Sequence, residues 1–183
     1  IGLFLVLIKN RFELKKEWQD SIIVDELTGA FNRKYFNQTM KQLISDFRRT
    51  GRTFSLALLD LDHFKQVNDT YGHLIGDEVL QAFSELVRQT IRTEDTFCCY
   101  GGEEFALFMP NTSAESALLV IERIQASFAK KPFRAKRESF HVSFSGGITE
   151  VSDKQENSDR LIEEGDQALY SSKYNGRNQT TLY

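Results

Sequence analysis

Proline is nearly absent, two in 183 residues, and the eleven glycines are scattered. A proline- or glycine-rich linker between several domains is therefore excluded, and the length suits one domain with an appendage. Cysteine is equally scarce. Cys98 and Cys99 are neighbours, adjacent cysteines rarely bridge, and neither has another partner, so the pair reads as small apolar strand residues in a reducing compartment. An excess of positive charge is missing too: 23 bases face 26 acids, a net charge of −3, which argues against duplex nucleic acid as a partner. No internal repeat is visible. Long hydrophobic runs are also lacking. The one wholly apolar stretch, IGLFLVLI at 1–8, falls short of the roughly twenty residues that a bilayer span needs. Lys9, Arg11, Lys15 and Lys16 follow it. We expect residues 1–8 to be the end of a spanning helix with its positive cytoplasmic flank, in a chain cut from something longer. An amphipathic helix packed on the domain or on a partner is the alternative.

What is present reads as alternating helices and strands. Residues 9–24 are charged and compatible with a helical connector. Asn32 precedes a helix over 33–50, with Phe36, Met40, Leu43 and Phe47 at helical spacing, and Gly51 ends it. Phe54–Asp60 is short, apolar and closed by an acid, as a buried strand would be. Two helices, 64–70 and 74–92, flank Tyr71-Gly72. Strands at 96–100 and 105–109 form a hairpin about Gly101-Gly102. A helix over 113–130, a second hairpin from 132–137 and 140–150, and a helix over 158–174 complete the order. The tail TTLY and the stretch 152–159 read as solvated. This order implies an α+β fold with a central, mostly antiparallel five-stranded sheet flanked by helices.

Two acidic places stand out. Asp60 ends the first strand with Asp62 two residues on, and Glu103 and Glu104 sit at the hairpin turn. Neighbouring strands lie about 4.8 Å apart, so these carboxylates can gather at one sheet edge if the hairpin pairs beside 54–60. Gathered carboxylates repel unless a cation sits among them, and Mg²⁺ is usually held by one or two carboxylates plus substrate phosphates. The glycine pair lets the backbone turn tightly and a bulky anion approach. A solvated turn with surface acids would look the same in isolation. The stretch DLDHFKQVNDTYGHLIGD, 60–77, adds Lys65, a point charge suited to phosphate. It also adds Asn68, His73 and Asp77. An acceptor-only carboxylate suits guanine, which presents a ring N–H beside an amino group. Asp62 could instead cap the helix that follows it.

These motifs resemble the GGDEF-domain diguanylate cyclases, here in a GGEEF form. The resemblance runs from Asp25 to about Asn178, implies a catalytic domain over 25–180, and rests on DELTGAFNRKYF at 25–36, the 60–77 stretch, RTED at 92–95, GGEEF at 101–105 and YSSKYNGRN at 170–178. It implies a palm-like nucleotidyl cyclase fold that condenses two GTP into cyclic di-GMP (c-di-GMP) with release of two pyrophosphates. By the resemblance, Asp60, Glu103, Glu104 and the Leu61 carbonyl hold Mg²⁺ or Mn²⁺, two ions per GTP site. Glu103 is the base for the ribose 3′-hydroxyl and Lys65 supports the transition-state charge. Asn68, His73 and Asp77 read guanine, and Lys173 and Arg177 clamp the terminal phosphates. Each domain holds one GTP, so turnover requires a homodimer facing about a two-fold axis.

The same resemblance makes Arg92 and Asp95 an inhibitory product site, with Arg123 contributed by a neighbouring domain. An arginine fork grips phosphate and stacks on a purine. Cys99 stands where many relatives carry arginine, which bears on product contacts more than on chemistry. The expected setting is an upstream sensor, a membrane anchor in the inner membrane and a catalytic domain on the cytoplasmic side. The rivals are a non-catalytic nucleotide receptor and a related palm-type cyclase or polymerase. The first is disfavoured by the intact hairpin acids, the second by the guanine readers and the RxxD pattern.

Overall fold

The computed structural model describes residues 23–152 and 158–183. At its centre β1, Phe54–Leu61, is buried along all eight residues. A strand covered on both faces needs a continuous apolar run rather than an alternation, and FSLALLDL supplies one up to its acid. β3 (Glu104–Pro110) and β6 (Phe144–Glu150) pair antiparallel on either side of it. β2 (Thr96–Gly101) lies outside β3, and β7 (Thr180–Leu182) runs parallel to β6 at the other edge. The sheet order is β2-β3-β1-β6-β7.

Side chains alternate across a strand, and here both faces are covered. Ala57, Leu59 and Leu61 enter one core with α2 (Phe64–Tyr71), α3 (His73–Thr90) and α4 (Ala114–Ala129). Phe54, Leu56 and Leu58 enter the other with α1 (Arg33–Thr50) and α5 (Ser158–Tyr174). The first core is built on Phe83, whose ring lies 5.0 to 6.2 Å from those of Phe97, Phe105, Phe128 and Phe144. The α1 boundaries follow local chemistry: Asn32 Oδ1 accepts the Tyr35 N–H at 3.1 Å, and the Gly51 N–H caps Phe47 O.

Five strands are present in the main sheet, but not the expected five. The hairpin foreseen from 132–137 and 140–150 is divided. β4 (Phe133–Ala135) and β5 (Glu138–Phe140) form a separate two-stranded sheet. Phe140 stacks on Tyr71 and lies beside Phe133, whereas Phe144 sits among the rings around Phe83 in the same core. The chain therefore breaks between them. The fifth strand is instead the tail expected to be solvated. Thr180 Oγ1 bonds the buried Gln125, and the Tyr183 N–H donates to Ile148 O. The expected span end at 1–8 lies outside the described residues, as does the connector 9–24 except for Ile23 and Val24. Among the described residues no helix is long and apolar enough to cross a membrane.

One contact sets how α5 lies on the sheet. A Cβ at Gly147 would overlap the backbone of Leu169 and Gly165 in α5, so helix and strand touch main chain to main chain. Gly147→Ala must push the helix away. We expect a loss of about 1–3 kcal/mol in urea unfolding, the cost of an overpacked core. An unchanged midpoint would show that α5 is free to shift.

Candidate active site

The alternation of β1 continues to its end. Asp60 has the parity of Leu56 and Leu58, so it lies on the α1/α5 side of the sheet. Its Cα partners are Glu104 on β3 and Ser145 on β6. The Leu61 N–H reaches Glu103 O at 3.3 Å. The turn between β2 and β3 passes through Gly102 at φ 54°, a left-handed conformation that glycine adopts without a Cβ clash. Asp60, Leu61, Glu103 and Glu104 are thus brought to one sheet edge, as their motifs led us to expect.

A cation from the last helix meets them. Lys173 Nζ lies 2.8 Å from Asp60 Oδ2. Its place is set by the preceding residue: Ser172 Oγ, buried, donates to Gly146 O at 2.7 Å and shares a hydrogen bond with Thr181. The edge is electrostatically tense. Burial raises the Asp60 carboxyl above its ordinary range, Lys173 opposes the rise, and Glu103 and Asp62 add to it. Glu104 is raised in the same sense by desolvation and by Asp60, Glu103 and Asp166, against Lys173. One lysine does not discharge so many acids.

Among the described residues no three His, Cys, Asp or Glu side chains form a ready-made metal cage. The donor set nevertheless fits a hard divalent ion. It is all oxygen, it is under-neutralised, and Mg²⁺ commonly takes only one or two carboxylates and leaves the remainder to phosphates and water.

The residues expected to contact a nucleotide lie on α2, α3 and the turn after α5. Lys65 is exposed on α2. Asn68 Oδ1, on the same helix, is one of two buried side-chain polar atoms without a hydrogen-bond partner among the described residues. It packs against Gly76 so closely that a Cβ there would strike it. Asp77, next in sequence, is half-buried, and His73 is exposed as the first residue of α3. A buried acceptor left without a donor is costly unless a ligand supplies one. Arg177 is exposed in the turn that follows α5.

Asp62 does not cap α2. His63 occupies that position without a side-chain cap, and Asp62 is engaged elsewhere, by Ser143, Ser145 and the Asn178 N–H. Its place just before a helix suggested a cap, but the long-range donors are invisible in a linear reading. Asp166 was also missed. It stands seven residues before Lys173 on α5, two helical turns away, and its own carboxyl is raised by desolvation against Lys173.

The RxxD turn closes on itself: the Arg92 N–H donates to Asp95 Oδ2 at 2.9 Å. Desolvation raises the Asp95 carboxyl, partly offset by that bond. A cavity of about 240 Å³ opens beside it, lined among others by Phe31, Arg88, Arg92 and Asp95. Arg88 escaped the sequence reading, although it precedes Arg92 by one helical turn. Arg123 reaches Thr90 O at 3.1 Å within the same chain, beside the turn it was expected to complete from a neighbour. Cys98 and Cys99 are both free. Burial pushes their thiols up to about 12 and about 11, so both stay protonated.

An acid-lined sheet edge answered by a lysine, with an open acceptor on the adjoining helix, is a geometry suited to a hard cation and phosphates on an α+β domain. Residues 22–179 match the family described as diguanylate cyclase, GGDEF domain, and the chain belongs to that family. It is 37% identical over 164 residues to diguanylate cyclase DgcP of Pseudomonas aeruginosa, which covers 90% of this chain but 24% of DgcP. Among solved structures it resembles the GGDEF domain of DgcB from Caulobacter crescentus in complex with c-di-GMP. That match has a TM-score of 0.84 at 31% identity, over 87% of this chain and 95% of the other. The active GGEEF domain of a diguanylate cyclase from Vibrio cholerae gives 0.78 at 32%, over 83% and 96%.

The raised Glu104 carboxyl has a consequence for stability. An acid whose folded pKa lies above its unfolded value penalises the fold when charged, and the penalty is relieved as pH falls through the folded value. Glu104→Gln should therefore melt higher than the parent near about pH 7.5, with the gain shrinking toward about pH 4. A variant that melts lower at the higher pH would show that Glu104 is a net stabilising charge.

Proposed function

We propose that this chain is the catalytic domain of a diguanylate cyclase, condensing two GTP into c-di-GMP with loss of two pyrophosphates. The observation that carries this is the meeting of Asp60, Glu103 and Glu104 with Lys173 at one sheet edge. The relatives named above, a cyclase and two GGDEF or GGEEF domains, support it.

In this reading Asp60, Glu103, Glu104 and the Leu61 carbonyl hold Mg²⁺ or Mn²⁺, two ions per site. Such an ion, when bound, neutralises phosphate charge and acidifies a nearby hydroxyl. Lys173 already reaches the acidic edge and, with Arg177, takes the terminal phosphates. Asn68 Oδ1 accepts from guanine, and Asp77 takes the remaining ring donor beside His73. Lys65 counters charge that develops on the transferring phosphoryl group. Glu103 accepts the 3′-hydroxyl proton.

One domain supplies one GTP, and the attacking hydroxyl must come from the other. Two copies therefore face each other about a two-fold axis, and the connector 9–24 sets their geometry. We assign residues 25–180 to the catalytic domain and 1–8 to the end of a membrane anchor below an upstream sensor, with catalysis on the cytoplasmic side. Arg92 and Asp95 bind the product and restrain the enzyme. Arg88 and Arg123, which stand beside that turn, extend its positive rim.

Incubation with GTP and Mg²⁺ should yield c-di-GMP on chromatography, with specific activity falling on dilution. Asp60→Asn and Glu103→Gln should lower kcat about a thousandfold, the several kcal/mol of charge stabilisation that a metal site contributes. GTP binding without product would make the domain a receptor.

Arg92→Ala tests the product site separately. We expect it to abolish inhibition by added c-di-GMP while the initial rate stays close to that of the parent. Loss of synthesis with inhibition retained would remove Arg92 from that role.

A further inference from the structure

Asp62 looks like half of a carboxylate pair with Asp60, and its spacing invites a role as a second metal ligand. Its surroundings say otherwise. The side chain is 5% exposed. Oδ1 accepts from Ser145 Oγ at 2.7 Å. Oδ2 accepts from Ser143 Oγ at 2.7 Å and from the Asn178 N–H at 3.0 Å. Its own N–H donates to Ser143 O. Three donors engage both oxygens, and two of them come from the entry to β6.

The third comes from the far end of the chain. After α5 the backbone passes through three successive left-handed residues, Gly176 at φ 112°, Arg177 at 62° and Asn178 at 47°. Only the first is a glycine. A side-chain-bearing residue adopts such angles uncommonly, asparagine more readily than arginine, and its surroundings help to hold it there. Two hydrogen bonds do so here: the Arg177 N–H to Ser172 O at the helix end, and the Asn178 N–H to Asp62. Immediately afterwards Gln179 O accepts from Gly146 and the chain enters β7.

We propose that Asp62 is a positioning residue rather than a metal ligand: it ties the Gly176–Asn178 turn to the end of β1, and so places Arg177 against the phosphates of the nucleotide held at Asp60. This rests on the reading of Arg177 as a phosphate ligand. It explains why a second acid stands beside Asp60 although it adds to the charge burden there.

An asparagine can replace the three contacts. Its amide oxygen can take the Ser143 and Asn178 donors while its NH₂ donates to the Ser145 hydroxyl. A metal ligand could not be so replaced. Asp62→Asn should therefore keep KM for GTP and kcat within about threefold of the parent, as rescue by a shape-matched residue requires. Asp62→Ala should raise KM about tenfold or more with a smaller change in kcat. Arg177→Ala should raise KM similarly, and Asp62→Ala should add little in that background, because coupled residues are not additive. Amide hydrogen exchange provides a readout apart from turnover. The Asn178 N–H should be protected in the parent and in Asp62→Asn, and unprotected in Asp62→Ala.

If Asp62→Asn is as inactive as Asp60→Asn, or the Asp62→Ala and Arg177→Ala effects multiply, the positioning role is overturned. An unprotected Asn178 amide in the parent overturns it as well, and needs no variant to fold. A normal KM in Arg177→Ala with a protected Asn178 amide would instead overturn the phosphate reading of Arg177 and leave the tether standing.

Discussion

The architecture depends on one constraint: β1 is buried on both faces and its side chains alternate. Every second residue of Phe54–Leu61 is committed to the α1/α5 core and the rest to the α2/α3/α4 core. A slip of one residue would exchange the two sets. The same parity carries Asp60 toward α5, where Lys173 stands, and pairs it with Glu104 across β3. The chemistry at the strand end is thus indexed by the apolar register upstream of it. The acids need no separate device to find one another.

Helix α5 is held by close-approach glycines and polar links as well as by its apolar face. Gly147 and Gly165 let helix and strand approach and Ser172 bonds Gly146 O, while Gln125 on α4 bridges Phe144 O and Thr180. Buried polar groups are tolerated where each has a partner, and these partners lie on different elements. Such links cross the sheet edge at defined points. The acidic edge runs the other way. Asp60, Glu104 and Asp166 are all held above their ordinary carboxyl ranges chiefly by burial. A fold that buries Asp60 beside other acids forgoes stability there, a pattern common at functional sites.

Helical periodicity and terminal chemistry were legible because they are local. The Asn32 cap, the Gly51 stop and the apolar spacing of α1 and α3 follow from neighbours a few residues apart. The buried strand FSLALLDL and the hairpin about Gly101-Gly102 were legible for the same reason. Thr180–Leu182 was not, because a three-residue parallel strand takes its stability from β6 and Gln125, distant in sequence. The division of 132–150 was also hidden: Phe140 and Phe144 are equally apolar, and only their ring partners, Tyr71 for one and Phe83 for the other, tell the short hairpin from the main sheet. Motif residues such as Asp60, Asn68 and Lys173 could be singled out by type. Asp62 could be noticed but its role could not, and Arg88 and Asp166 could not be noticed at all, because what distinguishes them is company from elsewhere in the chain.

By itself the chain of residues determined its helices, its central strand, the acidic hairpin tip and the family to which it belongs. These are written in short-range spacing and side-chain chemistry. The tertiary structure alone decided which five strands share the sheet and which oxygen Lys173 meets. It also decided that Asp62 serves a backbone amide 116 residues away. Those outcomes turn on contacts between segments whose separation no local propensity encodes, and on burial, which exists only once the layers have closed.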